Sequence, residues 1–305
     1  MTEESNSEVR KREAIQEIPA KAFVPFNSVG GPLQECIFPL VAIVADAVYP
    51  VGSAFAIHPD GLLMTSAHVL EYAESFAELR RRADGTSYRH YELHALYVSA
   101  KLATPPFLFG GQMPVDRIWA VKEHDIALAL ARLPQNVETG QKFRFRIVRL
   151  RPCPPKVGDP ILAVGYHMME ASRIVDGKVD YKQETATSTA EVTEVFDVTR
   201  DRCLANFPCF HVNARFDPGM SGGPIFDSQG TVCGVVSRGM SPDEKGEYLS
   251  LGASIWPALG MKLDINIDKQ AETLTLYELA RRRLLDVDKS IESVFLTENG
   301  VGIRY

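Results

Sequence analysis

The sequence has too few cysteines, in the wrong spacing, for a disulfide framework or a zinc site. There are five (Cys36, Cys153, Cys203, Cys209 and Cys233), an odd number with no CxxC pair. Cys203, Cys209 and His211 lie near one another but lack a fourth ligand, so neither a metal nor another cofactor is expected. They read as small buried thiols, with a Cys203–Cys209 bridge as the alternative in an oxidising compartment. Long hydrophobic runs are also missing. The most apolar stretch, Cys36 to Ala45, has about ten residues and contains Pro39, well short of the roughly 20 needed to cross a membrane. Positive charge is not in excess either, since the formal net charge is −6, which argues against a nucleic-acid partner. The runs Arg80–Arg82 and Arg281–Arg283 read as solvated helix faces. The opening MTEESNSEVRKREAIQEIPAK mixes both charge signs and has no apolar core of the signal-peptide kind. A reduced, cytoplasmic setting without a membrane is therefore expected.

What is present is the composition of a globular chain, 45% hydrophobic and 24% charged over 305 residues, long enough to bury a core without staples. After the turn signal Gly30-Gly31-Pro32 come short runs rich in Val, Ile, Phe and Tyr, among them CIFPLVAIVAD, VGSAFAI, DIALALARL, DPILAVGY and TVCGVVS. Several alternate, and Gly, Pro and Asp separate them, the pattern of strands and turns. His58-Pro59-Asp60-Gly61 is one such turn. Helices are expected over 70–82, and after Thr275, where Thr275-Leu-Tyr-Glu278 reads as a capping box. SVFLT-ENG-VGIRY closes the chain as a possible hairpin. The fold class is all-β, a sandwich or barrels. The Pro-rich stretch 151–156 divides the chain, giving a flexible leader (1–34), two units (35–150 and 151–258) and a C-terminal extension (259–305).

Asp217-Pro-Gly-Met-Ser-Gly-Gly-Pro224 carries the strongest chemical signal. Glycines flanking Ser221 allow a tight backbone bend that presents a hydroxyl and brings N–H groups toward a bound carbonyl. The donors would be the amides of Gly219 and Ser221. The same segment fits GxSxG, the nucleophile elbow of α/β-hydrolases, and a plain glycine-rich turn. Chain order separates the enzyme classes. An α/β-hydrolase needs a histidine after its serine, and the last histidine here is His211. The order Asp–His–Ser would need Asp46 or Asp60, and neither has a setting suited to the role. His–Asp–Ser remains. His68 follows an apolar strand in Leu63-Met-Thr-Ser-Ala-His-Val69, and Asp125 heads another in His124-Asp-Ile-Ala-Leu-Ala-Leu130.

With these segments in view, the chain resembles the trypsin-like peptidase superfamily, in particular its disulfide-free bacterial branch related to the Deg-type proteases. Thr65-Ser66-Ala67-His68, Asp125-Ile-Ala-Leu128 and Gly219-Met-Ser-Gly-Gly-Pro224 match the family's three motifs, in the family's order, over roughly residues 36–258. The resemblance implies two six-stranded antiparallel Greek-key barrels of the chymotrypsin type, here with a short C-terminal helical appendix too small for a PDZ domain. It implies a serine endopeptidase with catalytic residues His68, Asp125 and Ser221, an oxyanion hole of Gly219 and Ser221, and Ser237 supporting the aspartate. Protein or peptide substrates would meet a pocket with Arg215 at its floor and Val236, Ser237 and Gly239 on its walls. Arg215 would favour an acidic P1 residue if it points inward; if it points to solvent, the pocket takes small or apolar side chains. His124 and Glu123 read as loop surface, and His211 as a rival for a place in the pocket. Two departures stand out. Met220 replaces the aspartate that, in secreted trypsins, pairs with the N-terminus made by zymogen cleavage. Val69 stands where a cysteine usually follows the histidine. Met220 points away from zymogen activation by that route, and both departures favour an intracellular enzyme that is active as made or switched by another event. The competing reading is a silent or latent trypsin-like fold used as a binding module, with a regulatory partner acting through the leader or the extension.

Overall fold

The computed structural model describes residues 23–26, 32–101, 107–135, 139–140, 142–171, 174, 181–201, 205–240, 248–267, 270–298 and 300–304. Strand β1 (Phe23–Phe26) precedes a first closed barrel built from β2 (Ile37–Val44), β3 (Ala47–Ala56), β4 (Leu62–Thr65), β7 (Glu92–Lys101), β8 (Phe107–Val121) and β9 (Ile126–Ala131). A small hairpin, β5 (Glu78–Arg81) with β6 (Ser87–His90), projects between β4 and β7. The second barrel consists of β10 (Pro160–Ala171), β11 (Tyr181–Phe196), β12 (Cys209–Val212), β13 (Pro224–Asp227), β14 (Val232–Gly239) and β15 (Ser250–Ser254), closed by the β11–β12 pairing. Every named pairing is antiparallel. The expected double barrel is thus the observed one.

The period of two along a strand explains why the runs read as apolar on both faces. Ala127, Ala129 and Ala131 of β9 face the interior of the first barrel with Phe38, Leu40, Ala42, Ala54, Ala56 and Leu63. The alternate residues Ile126 and Leu128 point outward, into a core shared with Phe55 and Met64 and with Val164, Tyr166, Val235 and Leu251 of the second barrel. A strand buried on both faces loses the polar alternation of a surface strand. The resulting interface presses the two barrels together along one seam.

Three expectations change. The helix expected over 70–82 is α1 (Ala67–Ser75), which ends at Phe76. Its basic end, Arg80 and Arg81, lies on the exposed edge of β5 instead. Alternating Glu78, Arg80 and Arg82 suits a two-stranded ribbon whose side chains alternate in water, and Arg80 pairs with Glu78. The leader is not flexible throughout, because Phe23–Phe26 pairs with Ser188–Thr185 of β11 as a seventh strand beside the second barrel. An aromatic and β-branched run of this kind suits a sheet edge. The C-terminal extension holds more strand than expected: besides the anticipated hairpin of β18 (Val294–Thr297) with β19 (Gly300–Ile303) it has a second, β16 (Lys262–Ile267) with β17 (Gln270–Thr275).

Between the hairpins lies the short helix α2 (Leu276–Arg281), started by the capping box, in which Thr275 Oγ1 accepts the Glu278 N–H at 3.1 Å and Glu278 Oε2 accepts the Thr275 N–H at 2.7 Å. The extension then straps the inter-barrel linker. The N–H of Leu150 donates to Asp286 O at 2.8 Å, and that of Asp288 donates to Leu150 O at 2.9 Å. On its other side, Leu150 bridges Val232 of β14. Among the described residues, no helix is long and apolar enough to cross a membrane.

Candidate active site

His68 is the second residue of α1, immediately after β4. Its ring Nδ1 lies 3.0 Å from both Oδ1 and Oδ2 of Asp125, and its own backbone N–H donates to Asp125 Oδ1 at 3.0 Å. The carboxylate therefore does two jobs. It takes one of the unpaired N–H groups of the first helical turn, where Ser66 makes no side-chain cap, and it sets the imidazole tautomer with N–H at Nδ1. Asp125 itself sits at φ 48°, in the left-handed region, between a 3₁₀ turn over Lys122–His124 and β9. Aspartate tolerates this conformation better than most residues.

From the second barrel, Ser237 Oγ donates to Asp125 Oδ2 at 2.5 Å, across 112 residues of sequence. Burial alone would push the Asp125 carboxyl up. The hydrogen bond and charge of the His68 ring, the Ser237 hydroxyl and the His68 N–H outweigh it, and the net shift is downward. Asp125 is thus held as an anion.

The nucleophile segment is a main-chain device. Met220 N–H donates to Asp217 O at 3.0 Å, with Pro218 and Gly219 as the two central residues and Gly219 at φ +96°. Pro then Gly is the signature of a type II turn, which requires positive φ at its third residue. Gly222 follows at φ +85°, where a Cβ would lie 2.1 Å from Thr65 Oγ1 and 2.2 Å from Ser53 O. Only glycine fits that approach of barrel two to barrel one. Gly222 N–H donates to Val236 O, and Val236 N–H to Gly223 O, both at 2.8 Å. The N–H groups of Gly219 and Ser221 have no protein acceptor among the described residues.

Ser221 Oγ donates to Ser237 O at 3.2 Å and makes no hydrogen bond with His68. Met220, directly before it, is fully buried in the interior of barrel two with Ile161, Phe216 and Val236. Apolar packing anchors the segment where a charged residue would need a partner.

The remaining candidates divide. Ser237 reaches Asp125, whereas the Val236 side chain turns into the barrel interior, as alternation along β14 demands once Val235 faces the inter-barrel core. Arg215 points outward, its side chain 45% exposed, paired with Asp217 at 2.5 Å and near the Tyr248 ring. A Cβ on Gly239 would sit 2.1 Å from Phe216 O, so these two segments lie in close contact. His211 Nδ1 lies 3.5 Å from Glu194 Oε2, and its ring is edge-on to Phe196. His124, half-buried beside Asp125, has its pKa pushed down by burial.

Burial pushes the thiols of Cys36 and Cys233 up to about 12 and that of Cys209 to about 11, so none supplies a thiolate at neutral pH. Cys203 lies outside the described residues. Among the described residues, no three His, Cys, Asp or Glu side chains gather as a metal site.

Two contributors were not singled out from sequence. Ser53, fully buried on β3, bonds to the nucleophile segment of the other barrel. His167, buried on β10, lies 3.4 Å from Asp217 and 3.5 Å from Glu184. The signal for both was a polar residue inside an otherwise apolar strand, which is rare without a partner.

The profile of the trypsin-like peptidase domain matches residues 52–235, more than half of the chain. No curated protein sequence matches significantly. Among solved structures, the MamO protease domain from Magnetospirillum magneticum is similar at 15% identity and a TM-score of 0.45, covering 73% of this chain and 94% of that one. Neuropsin, a serine protease expressed in the limbic system of mouse brain, is similar at 14% identity and a TM-score of 0.45, covering 76% of this chain and 94% of its own. A protease from M. tuberculosis in its active form is similar at 15% identity and a TM-score of 0.42, covering 78% and 88%.

Proposed function

Since the chain belongs to the trypsin-like peptidase family, we propose that it is a serine endopeptidase whose catalytic residues are Ser221, His68 and Asp125. The observation that carries this reading is the Asp125–His68 pair, with both carboxylate oxygens 3.0 Å from Nδ1. It leaves Nε2 as the basic nitrogen. Near neutral pH a serine hydroxyl is a weak nucleophile and needs such a base.

Ser221 Oγ would leave its bond to Ser237 O by rotation about χ1 and pass its proton to His68 Nε2 as it attacks the substrate carbonyl carbon. In unliganded enzymes such catalytic contacts are commonly loose and tighten on substrate binding. The oxyanion would be taken by the unengaged N–H groups of Gly219 and Ser221, each typically worth about 3–4 kcal/mol to the transition state. Asp125, held ionised, would stabilise the imidazolium, which then protonates the leaving amine. Water, activated by the same histidine, would release the acyl group. Ser237 has a double role in this scheme, its hydroxyl steadying Asp125 and its carbonyl parking the nucleophile.

The parked position of Ser221 also favours a second reading, a latent enzyme that substrate or a regulatory partner brings into line. A protein or peptide substrate belongs to the proposal as well, supported by the family. Labelling with a fluorophosphonate tests the reading directly. Wild-type protein is expected to label on Ser221, and Ser221→Ala to remain unlabelled. Equal labelling of both, or of neither, would rule out a competent Ser221. Labelling that appears only once peptide substrate is added, or once residues 1–34 are removed, would mark the latent form.

A further inference from the structure

Ser53 spends all of its polar atoms at the junction of the barrels. Its N–H donates to Ser221 O at 2.8 Å, and its hydroxyl donates to Gly219 O at 2.8 Å. The same hydroxyl accepts the Tyr166 N–H at 2.9 Å, while its carbonyl accepts Thr65 Oγ1 at 2.7 Å. The residue is 0% exposed. A buried serine in an apolar strand could merely satisfy itself, yet three of these four bonds reach the other barrel, and two hold the segment Gly219–Ser221.

Resting on the peptidase reading above, we propose that Ser53 is a positioning residue that locks the oxyanion-binding segment in its donor-forward conformation. The argument runs through the peptide planes. Gly219 O and Ser221 O are both drawn toward β3, so the planes that carry them cannot rotate freely. The two N–H groups without protein acceptors, those of Gly219 and Ser221, belong to the planes before and between the tethered ones and are confined with them. Glycine at φ +96° is otherwise the most permissive point of the segment. Were the 219–220 plane to turn over, the Ser53 hydroxyl would lose its acceptor and the Met220 N–H its bond to Asp217 O.

Met220 supplies the other half of the lock, its side chain buried in barrel two and its Cα packed against Gly165, where an added Cβ would lie 2.7 Å away. The segment is therefore fixed from both barrels by groups present in the chain as made.

The test is steady-state kinetics on a cleaved peptide, with inhibition by a peptide boronic acid, for wild type, Ser53→Ala and Ser53→Thr. Alanine keeps the backbone N–H bond to Ser221 and removes only the hydroxyl. Ser53→Ala is expected to fold, to lose about 10–100-fold in kcat with KM nearly unchanged, and to bind the boronate more weakly by a similar factor. Ser53→Thr, which restores the hydroxyl, is expected to return within about threefold of wild type. If the alanine variant does not fold, Ser53→Cys keeps the shape with a weaker donor and is expected to show a smaller loss of the same kind. A folded Ser53→Ala or Ser53→Cys with wild-type kcat and boronate affinity overturns the proposal. So does a kcat loss that disappears when rates are normalised to active sites titrated with the fluorophosphonate. A wild-type protein without Ser221-dependent turnover would remove the peptidase reading, and this inference with it.

Discussion

The two barrels contribute to the site in opposite ways. Barrel one supplies side-chain chemistry: an imidazole and a carboxylate, oriented by hydrogen bonds and by the start of α1. Barrel two supplies the Ser221 and Ser237 hydroxyls on a shaped main chain: a type II turn, two glycines at positive φ and a methionine buried behind them. The difference teaches that the halves should fail differently. Substitutions in the barrel-one corner should remove activity while the fold survives. Apart from Ser221 itself, substitutions in the barrel-two segment should damage fold and activity together, because its turn and glycines are part of the packing.

The sharpest way to break this contrast is Asp125→Asn. The expected outcome is a drop of about 10⁴-fold in kcat, with a cooperative thermal transition retained, because the amide would favour the wrong imidazole tautomer. Turnover of the purified variant and its melting curve check both parts. A linked effect follows from the downward shift of Asp125. A carboxyl whose folded pKa lies below its unfolded value of about 3.8 stabilises the fold fully above that value. That contribution is lost as pH falls through the folded pKa. Acid titration of stability should therefore be shallower in Asp125→Asn than in wild type below about pH 4. An unchanged profile would mean that the carboxylate is not held by these bonds.

Gly222→Ala probes the other half. With a Cβ pressed to 2.1 Å from Thr65 Oγ1 at φ +85°, it is expected to cost on the order of 2–3 kcal/mol of stability. Activity should fall in parallel, read as a lower denaturant midpoint and fewer titratable sites. A stable, inactive Gly222→Ala would show that barrel two can lose chemistry without losing packing, and the contrast would dissolve.

The smallest effect is expected at Arg215→Ala. Because that side chain pairs with Asp217 and is 45% exposed, cleavage of peptides with Glu or Ala at P1 should each change by less than about twofold. A selective loss on the Glu peptide would return Arg215 to the cleft.

Much of this was legible in the linear sequence, for definite reasons. Strands such as DIALALARL announce themselves because both faces are apolar, and the capping box at Thr275 is a local device that needs no tertiary information. The three motifs are short, ordered and tied to chemistry, so His68, Asp125 and Ser221 could be named without coordinates. The basic run at Arg80–Arg82 was misread, because charges exposed on a helix and on a two-stranded ribbon look alike over so few residues. Phe23–Phe26 does not declare itself as a strand in the sequence, because four residues are too few for a period to show.

By itself, then, the sequence determined the strand-rich texture, the order histidine, aspartate, serine, and the glycines that Ser221 requires. These are local properties, set by residue type and spacing. Only the tertiary structure decided that Ser237 reaches Asp125 across 112 residues, that Ser53 ties Gly219 from 166 residues away, and that the Arg215 side chain is exposed beside Asp217. Those facts depend on how two closed barrels meet along one buried seam, and no spacing within a single strand encodes that meeting.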